Sequence, residues 1–225
     1  MSPAEYEAAK AAAWRQAKSI SDCLFFPVVA ERKEGGLSRR IVAEHEAAHA
    51  VVGMALGGAC LFVTIEVPGA PSLNESAVGV LLLPSLSAFA TAAIAGNAWD
   101  LSAGIGLLDA KALLDVVDVE IGNLSHSRDV VSAYLRVWRL RATEVLLRTF
   151  EKVMTIADAL EKHGTLTEPE MRRIARFPPL SDPGVVRMLS YWKRSLGGGS
   201  DIHVPPNLTG VHELAKLAYK RKRVA

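Results

Sequence analysis

Two cysteines in 225 residues, Cys23 and Cys60, show no framework spacing, which points to a reducing compartment. A secretory signal is not expected either: the first residues carry Glu5, Glu7, Lys10, Arg15 and Lys18 on a helical pattern. The sequons at Asn74 and Asn207 are therefore read as accidental, and the expected location is the cytoplasm. Charge of one sign is not in excess. A net charge of +2 argues against a nucleic-acid partner, and the basic run Lys216 to Arg223 reads as the solvated face of a last helix. No Gly-x-x-x-x-Gly-Lys-Ser/Thr occurs, so this chain holds no P-loop ATP site, and no internal repeat is evident. Aromatics make up only 6% of a chain that is 50% hydrophobic, so the core of this globular protein must rest on Ala, Leu and Val. Residues 76–99 carry no charge over a length that could span a bilayer. Pro84, Ser85, Ser87, Thr91 and Asn97 break that run, so a buried strand followed by a buried helix is expected, and no membrane partner.

What the chain does have is His45-Glu46-Ala47-Ala48-His49. Ala43, Ala47, Ala48 and Ala50 favour helix, and Val42, Val51, Val52, Met54 and Leu56 supply apolar faces. In a helix, residues four apart stand on one face with about 5–6 Å between their Cβ atoms. Two imidazoles so placed can each give a nitrogen to zinc at about 2.0–2.1 Å. Glu46 reaches the same side without being needed as a ligand, and can take a proton from water there. This is the H-E-x-x-H arrangement of zinc hydrolases. The plainer alternative is a helix with two surface or capped histidines. Its apolar setting argues against that, because unpartnered His and Glu are costly to bury.

Around the motif the pattern reads as follows. Residues 3–19 form an Ala-rich helix, and Ser38 caps the motif helix, which Gly57-Gly58 ends. Cys60 to Val67 is a strand, closed by Pro68-Gly69, and Ala77 to Leu83 is its expected partner. Helical period follows over Leu86 to Ala98, over Leu107 to Ile121, and from Arg128 to His163 as one long helix or two in line. Gly164 ends that run, and Thr167 with Glu170 is a capping box opening a short helix to Arg176. After Pro178-Pro179 the chain is expected to loosen, with Gly197-Gly198-Gly199 as a link and Leu208 to Arg223 as a last helix.

A catalytic zinc takes three protein ligands and one water. The metzincin pattern fails here, since Val52 stands where its glycine belongs and Ala55 where its third histidine belongs. Downstream carboxylates or histidines remain. Asp129 follows the break Asn123 to Ser127 and opens a helix. On position alone the plainer reading prevails, an acid favouring the positive end of a helix dipole.

The segment His45-Glu46-Ala47-Ala48-His49-Ala50-Val51-Val52 resembles the core of the M41 peptidases, the protease half of FtsH-type membrane AAA proteases. The family has His-Glu-Ala-Gly-His-Ala, then a strand ending in Pro-Arg-Gly; here Val63 to Gly69 occupies that place without the arginine. Ala95-Gly96-Asn97-Ala98-Trp99-Asp100 looks like its Gly-Gly-Arg-Ala-Ala-Glu, and Leu160 to Thr167 like its closing segment. The family's third zinc ligand, the aspartate of Gly-Ala-x-x-Asp-Leu, falls on Asp129 in Ser125-His126-Ser127-Arg128-Asp129-Val130. Because Ser125-His126 replaces Gly-Ala, His126 is an alternative ligand. Asp100 resembles a family carboxylate near the metal and reads either as orienting a ligand or as an ordinary helix-end acid.

The resemblance covers residues 38–176 and implies a mainly α (α+β) fold, a helical zincin-like peptidase domain with a small β-sheet or hairpin. Residues 1–37 would be an N-terminal helix and loop, and 177–225 a C-terminal extension. It implies a zinc metalloendopeptidase with His45, His49 and Asp129 on Zn2+ and Glu46 as base. Without the ATPase and membrane helices of the family, substrates would be peptides or unfolded proteins, held by edge pairing along the strand from Cys60 to Val67. Self-association is left open. The alternative is a catalytically inactive binding or regulatory protein of the same fold, for which Ala48, the missing arginine and the altered aspartate segment leave room.

Overall fold

The computed structural model describes residues 38–66, 78–99 and 128–196, together with Leu113, Val116 and Val119. The helices expected over 3–19 and 208–223, the Gly197–Gly199 link and nearly all of the 107–121 pattern lie outside the described residues.

Ser38 sets the start of helix α1, Arg39–Ala55: its backbone is extended and its Oγ accepts from the Ile41 N–H at 3.3 Å. The far end closes as a Schellman motif. Gly57 N–H donates to the Met54 carbonyl and Gly58 N–H to that of Gly53, with Gly57 at φ +86°. Between these ends α1 is apolar on several sides, with Val42, Ala43, Ala47, Ala48, Ala50, Val51, Val52 and Met54 all buried. A helix apolar over so much of its circumference must be covered all round. Helices α2 (Leu86–Ala93) and α3 (Ala95–Trp99), α4 (Arg128–Arg148), α5 (Phe150–His163) and the sheet do so, α5 most extensively.

The sheet is antiparallel with three strands in the order β2-β1-β3, where β1 is Ala59–Thr64, β2 Val78–Leu82 and β3 Thr165–Thr167. Pairing of the two expected strands is observed, Ala59 opposite Leu82 and Thr64 opposite Val78, with a bulge at Leu61 where the register shifts. The third strand corrects one expectation. β1 is the middle strand, paired to β3 from Phe62 to Thr64, so it has no edge there to offer an extended substrate. All six of its residues are buried, as an apolar run covered on both faces requires.

The helical run from Arg128 to His163 divides at Thr149, whose hydroxyl donates to the Val145 carbonyl at 2.7 Å. Val131, Leu135, Trp138, Ala142 and Leu146 of α4, and Val153, Ile156, Ala157 and Leu160 of α5, are buried. Phe150 shares their period but is exposed, and it stacks on Trp99 with centroids 5.3 Å apart. Gly164, at φ +72°, ends α5 and packs so closely on Glu66 that a Cβ would collide with its carboxylate. The Thr167–Glu170 capping box opens helix α6, Glu168–Ile174, with the Thr167 N–H donating to Glu170 Oε2 at 2.7 Å. The chain does not loosen after Pro178-Pro179. Helix α7, Pro183–Leu196, packs on β1 and β2 and buries Val185 and Leu189. The architecture is mainly α with a small sheet, as expected.

No helix among the described residues is long and apolar enough to cross a membrane. The uncharged 76–99 stretch contributes β2, α2 and α3, the last two separated by a turn at Ile94.

Candidate metal centre

His45 and His49 sit one helical turn apart on α1 and turn toward the small-residue helices α2 and α3. Their Nε2 atoms are 3.1 Å apart, and the rings meet edge to face with centroids 4.7 Å apart. His49 is buried, and its Nδ1 lies 2.7 Å from the Ala92 carbonyl oxygen. A carbonyl only accepts, so Nδ1 carries the proton and Nε2 of His49 keeps its lone pair. This is how a protein fixes the tautomer and orientation of a ligating imidazole. Two ligands of one tetrahedral zinc stand about 3.3 Å apart when each is about 2.0–2.1 Å from the ion. The observed Nε2 spacing is close to that value.

Gly96 makes the approach possible. A Cβ there would lie 2.4 Å from His45 Cε1 and 2.5 Å from both Nε2 atoms, so the bare backbone of α3 faces the two nitrogens. The next residue, Asn97, is 1% exposed, and neither its Oδ1 nor its Nδ2 has a hydrogen-bond partner. Buried carboxamides are seldom left so. The bare glycine and two imidazole nitrogens 3.1 Å apart suit a group that takes nitrogen donors. The residues fit half of a zinc ligand set.

The helix is anchored beside the pair. Glu44 accepts from Arg40 Nε at 2.6 Å and from Trp99 Nε1 at 3.1 Å, tying α1 to α3. Arg40 also pairs with Asp158 and Glu161 on α5, which raises its pKa further above its ordinary value, and Arg39 donates to Glu66 at 2.5 Å. Glu46 is half-buried on α1, near enough to β1 for its charge to act on Cys60. Burial first, then the charges of Glu46 and Glu168, pushes the Cys60 thiol far above its usual range.

The candidate residues thus fall unevenly. His45 and His49 meet, and Glu46 follows on the same turn. Asp129 stands exposed in the first turn of α4. Among the described residues, no three His, Cys, Asp or Glu side chains are gathered as a metal-holding group. His126 and Asp100 lie outside the described residues. The Ala92 carbonyl and the roles of Gly96 and the Glu44–Trp99 bond were not foreseen. Only the likeness of the Ala95 to Asp100 segment pointed near them.

No protein-family model matches this chain, and none of the curated proteins matches it.

Proposed function

We propose that the chain is a zinc-dependent metalloendopeptidase of the M41 type, acting on peptides or unfolded chains without a nucleotide site of its own. The observation that carries this reading is the imidazole pair: two Nε2 atoms 3.1 Å apart, with His49 Nδ1 held on the Ala92 carbonyl. His45 and His49 would hold the ion, with Asp129 as third ligand. When bound, zinc supplies Lewis acidity, lowering the pKa of water to about 7 and polarising a carbonyl. Glu46, one residue beyond His45, takes the proton of the attacking water and passes it to the leaving amine. The Ala92 carbonyl holds His49 in its ligating tautomer, and Gly96 keeps the space before both nitrogens clear. An extended substrate would pair with β2, the five-residue edge strand beside α1, since β1 is occupied on both sides.

Zinc-loaded protein is expected to cleave an unfolded protein without ATP and to lose that activity to a chelator. Glu46→Gln should retain zinc while hydrolysis drops about 10²- to 10⁴-fold. Activity surviving Glu46→Gln removes the assigned base. A second reading, a non-catalytic binding or regulatory protein of this fold, draws on the exposed position of Asp129 and the lack of a three-donor group among the described residues. It predicts zinc retention with no cleavage by the wild type.

A further inference from the structure

Helix α4 carries two apolar stripes. One, through Val131, Leu135, Trp138, Ala142 and Leu146, is buried against the rest of the fold. The other points outward. Its Val130, Val137, Leu140 and Leu147 are 41–77% exposed, and Ala133 is exposed between them. A helix on a globular surface needs only the inner stripe, because its outer face is ordinarily polar. The outer stripe has a period of its own: residues 130, 133, 137, 140, 144 and 147 follow one another by three and four in turn, the a and d positions of a coiled-coil seam. The patch also spreads past the helix. Phe150 is exposed just beyond its end, and Leu86 is exposed beside Ser87, whose hydroxyl accepts from Arg141 at 3.2 Å. These side chains offer on the order of 500 Å² of surface in one copy and about 1,000 Å² in two, the lower end for a specific interface.

The charges along the seam choose the direction of the partner. Position 144 is Glu, and Arg136 and Arg141 stand on the two flanks. Two parallel copies would set Glu144 against Glu144 in the seam and Arg136 against Arg141 across it, like charges at each place. Two antiparallel copies avoid this. Each a position then meets a d position: Val137 packs on Leu140 of the second copy, Val130 on its Leu147, and Glu144 on its Ala133. Ala133, the smallest residue of the seam, leaves room for the Glu144 carboxylate, which stays paired with Arg148. Arg141 comes across from Tyr134 of the second copy, and Arg136 from its Thr143, so a cation meets an aromatic ring or a hydroxyl. We infer that the outer face of α4 is the contact between two copies of this chain, antiparallel about a two-fold axis that crosses the helix between residues 138 and 139. This pairing does not depend on a metal, so it and the zinc reading can fail separately.

Sedimentation equilibrium of the full chain over a concentration series tests it. A monomer–dimer equilibrium is expected, with Kd on the order of 1–100 μM for an interface of this size. Leu140→Asp sets a charge at the centre of the seam and should weaken pairing at least about 100-fold. Its circular-dichroism spectrum should match the wild type, because residue 140 is 62% exposed in a single copy. Leu147→Asp, at a position 77% exposed, serves the same purpose if the first variant does not fold. Direction is read separately, from nitroxide labels on Arg148→Cys in a Cys23→Ser background. At 1.5 Å of rise per residue, antiparallel copies place the two labels about 30 Å apart. Parallel helices, with axes about 8–10 Å apart, would place them within about 15 Å. Wild type that stays monomeric at every concentration overturns the inference, whatever else that face takes up. A dimer that survives both aspartate variants, or one whose labels lie within the shorter distance, overturns it as well.

Discussion

Substituting alanine at Gly96 tests the imidazole pair most directly. The added methyl carbon would stand 2.4 Å from His45 Cε1 and 2.5 Å from both Nε2 atoms, about 1 Å inside the roughly 3.5 Å at which such atoms rest comfortably. Neither imidazole can yield cheaply. His49 is buried and bonded to the Ala92 carbonyl at 2.7 Å, and His45 abuts it. Overpacking of this kind costs about 1–3 kcal/mol, while replacing glycine by alanine within a helix returns about 1 kcal/mol. The metal-free protein should thus lose no more than about 2 kcal/mol, a drop of at most about 8 °C in thermal midpoint for a domain of this size. The effect on metal should be larger. The methyl takes the space in front of both nitrogens, so zinc affinity should fall by more than the roughly 10- to 100-fold typical of outer-shell changes. Chelator competition reads the affinity, and a melt without zinc reads the fold. Wild-type zinc affinity in Gly96→Ala would refute the reasoning, because the nitrogens would not then be the place where an ion sits.

Two further predictions concern the frame. Arg172 joins Glu168, donates to the Gly58 carbonyl at 2.8 Å, and donates to that of Pro178. Arg172→Met should therefore destabilise by about 3–5 kcal/mol, since Glu168 is only 7% exposed and would keep, among the described residues, Lys193 at 3.9 Å. Urea melts check this, and a loss under 1 kcal/mol would show that the pair contributes little. Cys60, its thiol held far up by burial, should not react with a thiol reagent at pH 8 in a Cys23→Ser background until denaturant is added. Because the unfolded thiol ionises near 9.0 while the folded one stays protonated, stability should decline as pH rises past that value. The slope is at most about 1.4 kcal/mol per pH unit. Prompt labelling of the native protein would contradict the placement of Cys60.

How much of this was legible in the sequence depended on range. Ser38 at its cap, Gly57-Gly58 and Gly164 at helix ends, and Thr167 with Glu170 are signals decided within a few residues, and each stands where expected. The strand from Cys60 was legible because its run is β-branched and aromatic; its second partner was not, because β3 is only three residues long and carries no strand pattern of its own. Pro178-Pro179 suggested loosening, yet Val185 and Leu189, four apart, already had the spacing that α7 buries on the sheet. The division at Thr149 is a single residue whose backbone leaves the helical region, at φ −121° and ψ 17°, which composition does not announce. At the site, spacing alone put two imidazoles together. The Ala92 carbonyl and the bare backbone at Gly96 come from helices some 43 residues and more downstream, and tertiary packing alone brings them in.

The middle position of β1 bears on how the protein is made. Thr64 meets Thr165 across 101 residues of chain, so one side of β1 has no strand to pair with until the distal half has been translated. At about 5–20 residues per second, that interval lasts about 5–20 s on the ribosome. During it, the buried run Ala59–Thr64 leaves an apolar strand with open backbone groups. A nascent chain stalled before β3 should therefore be a ready client for chaperones, and fragments ending before residue 165 should aggregate.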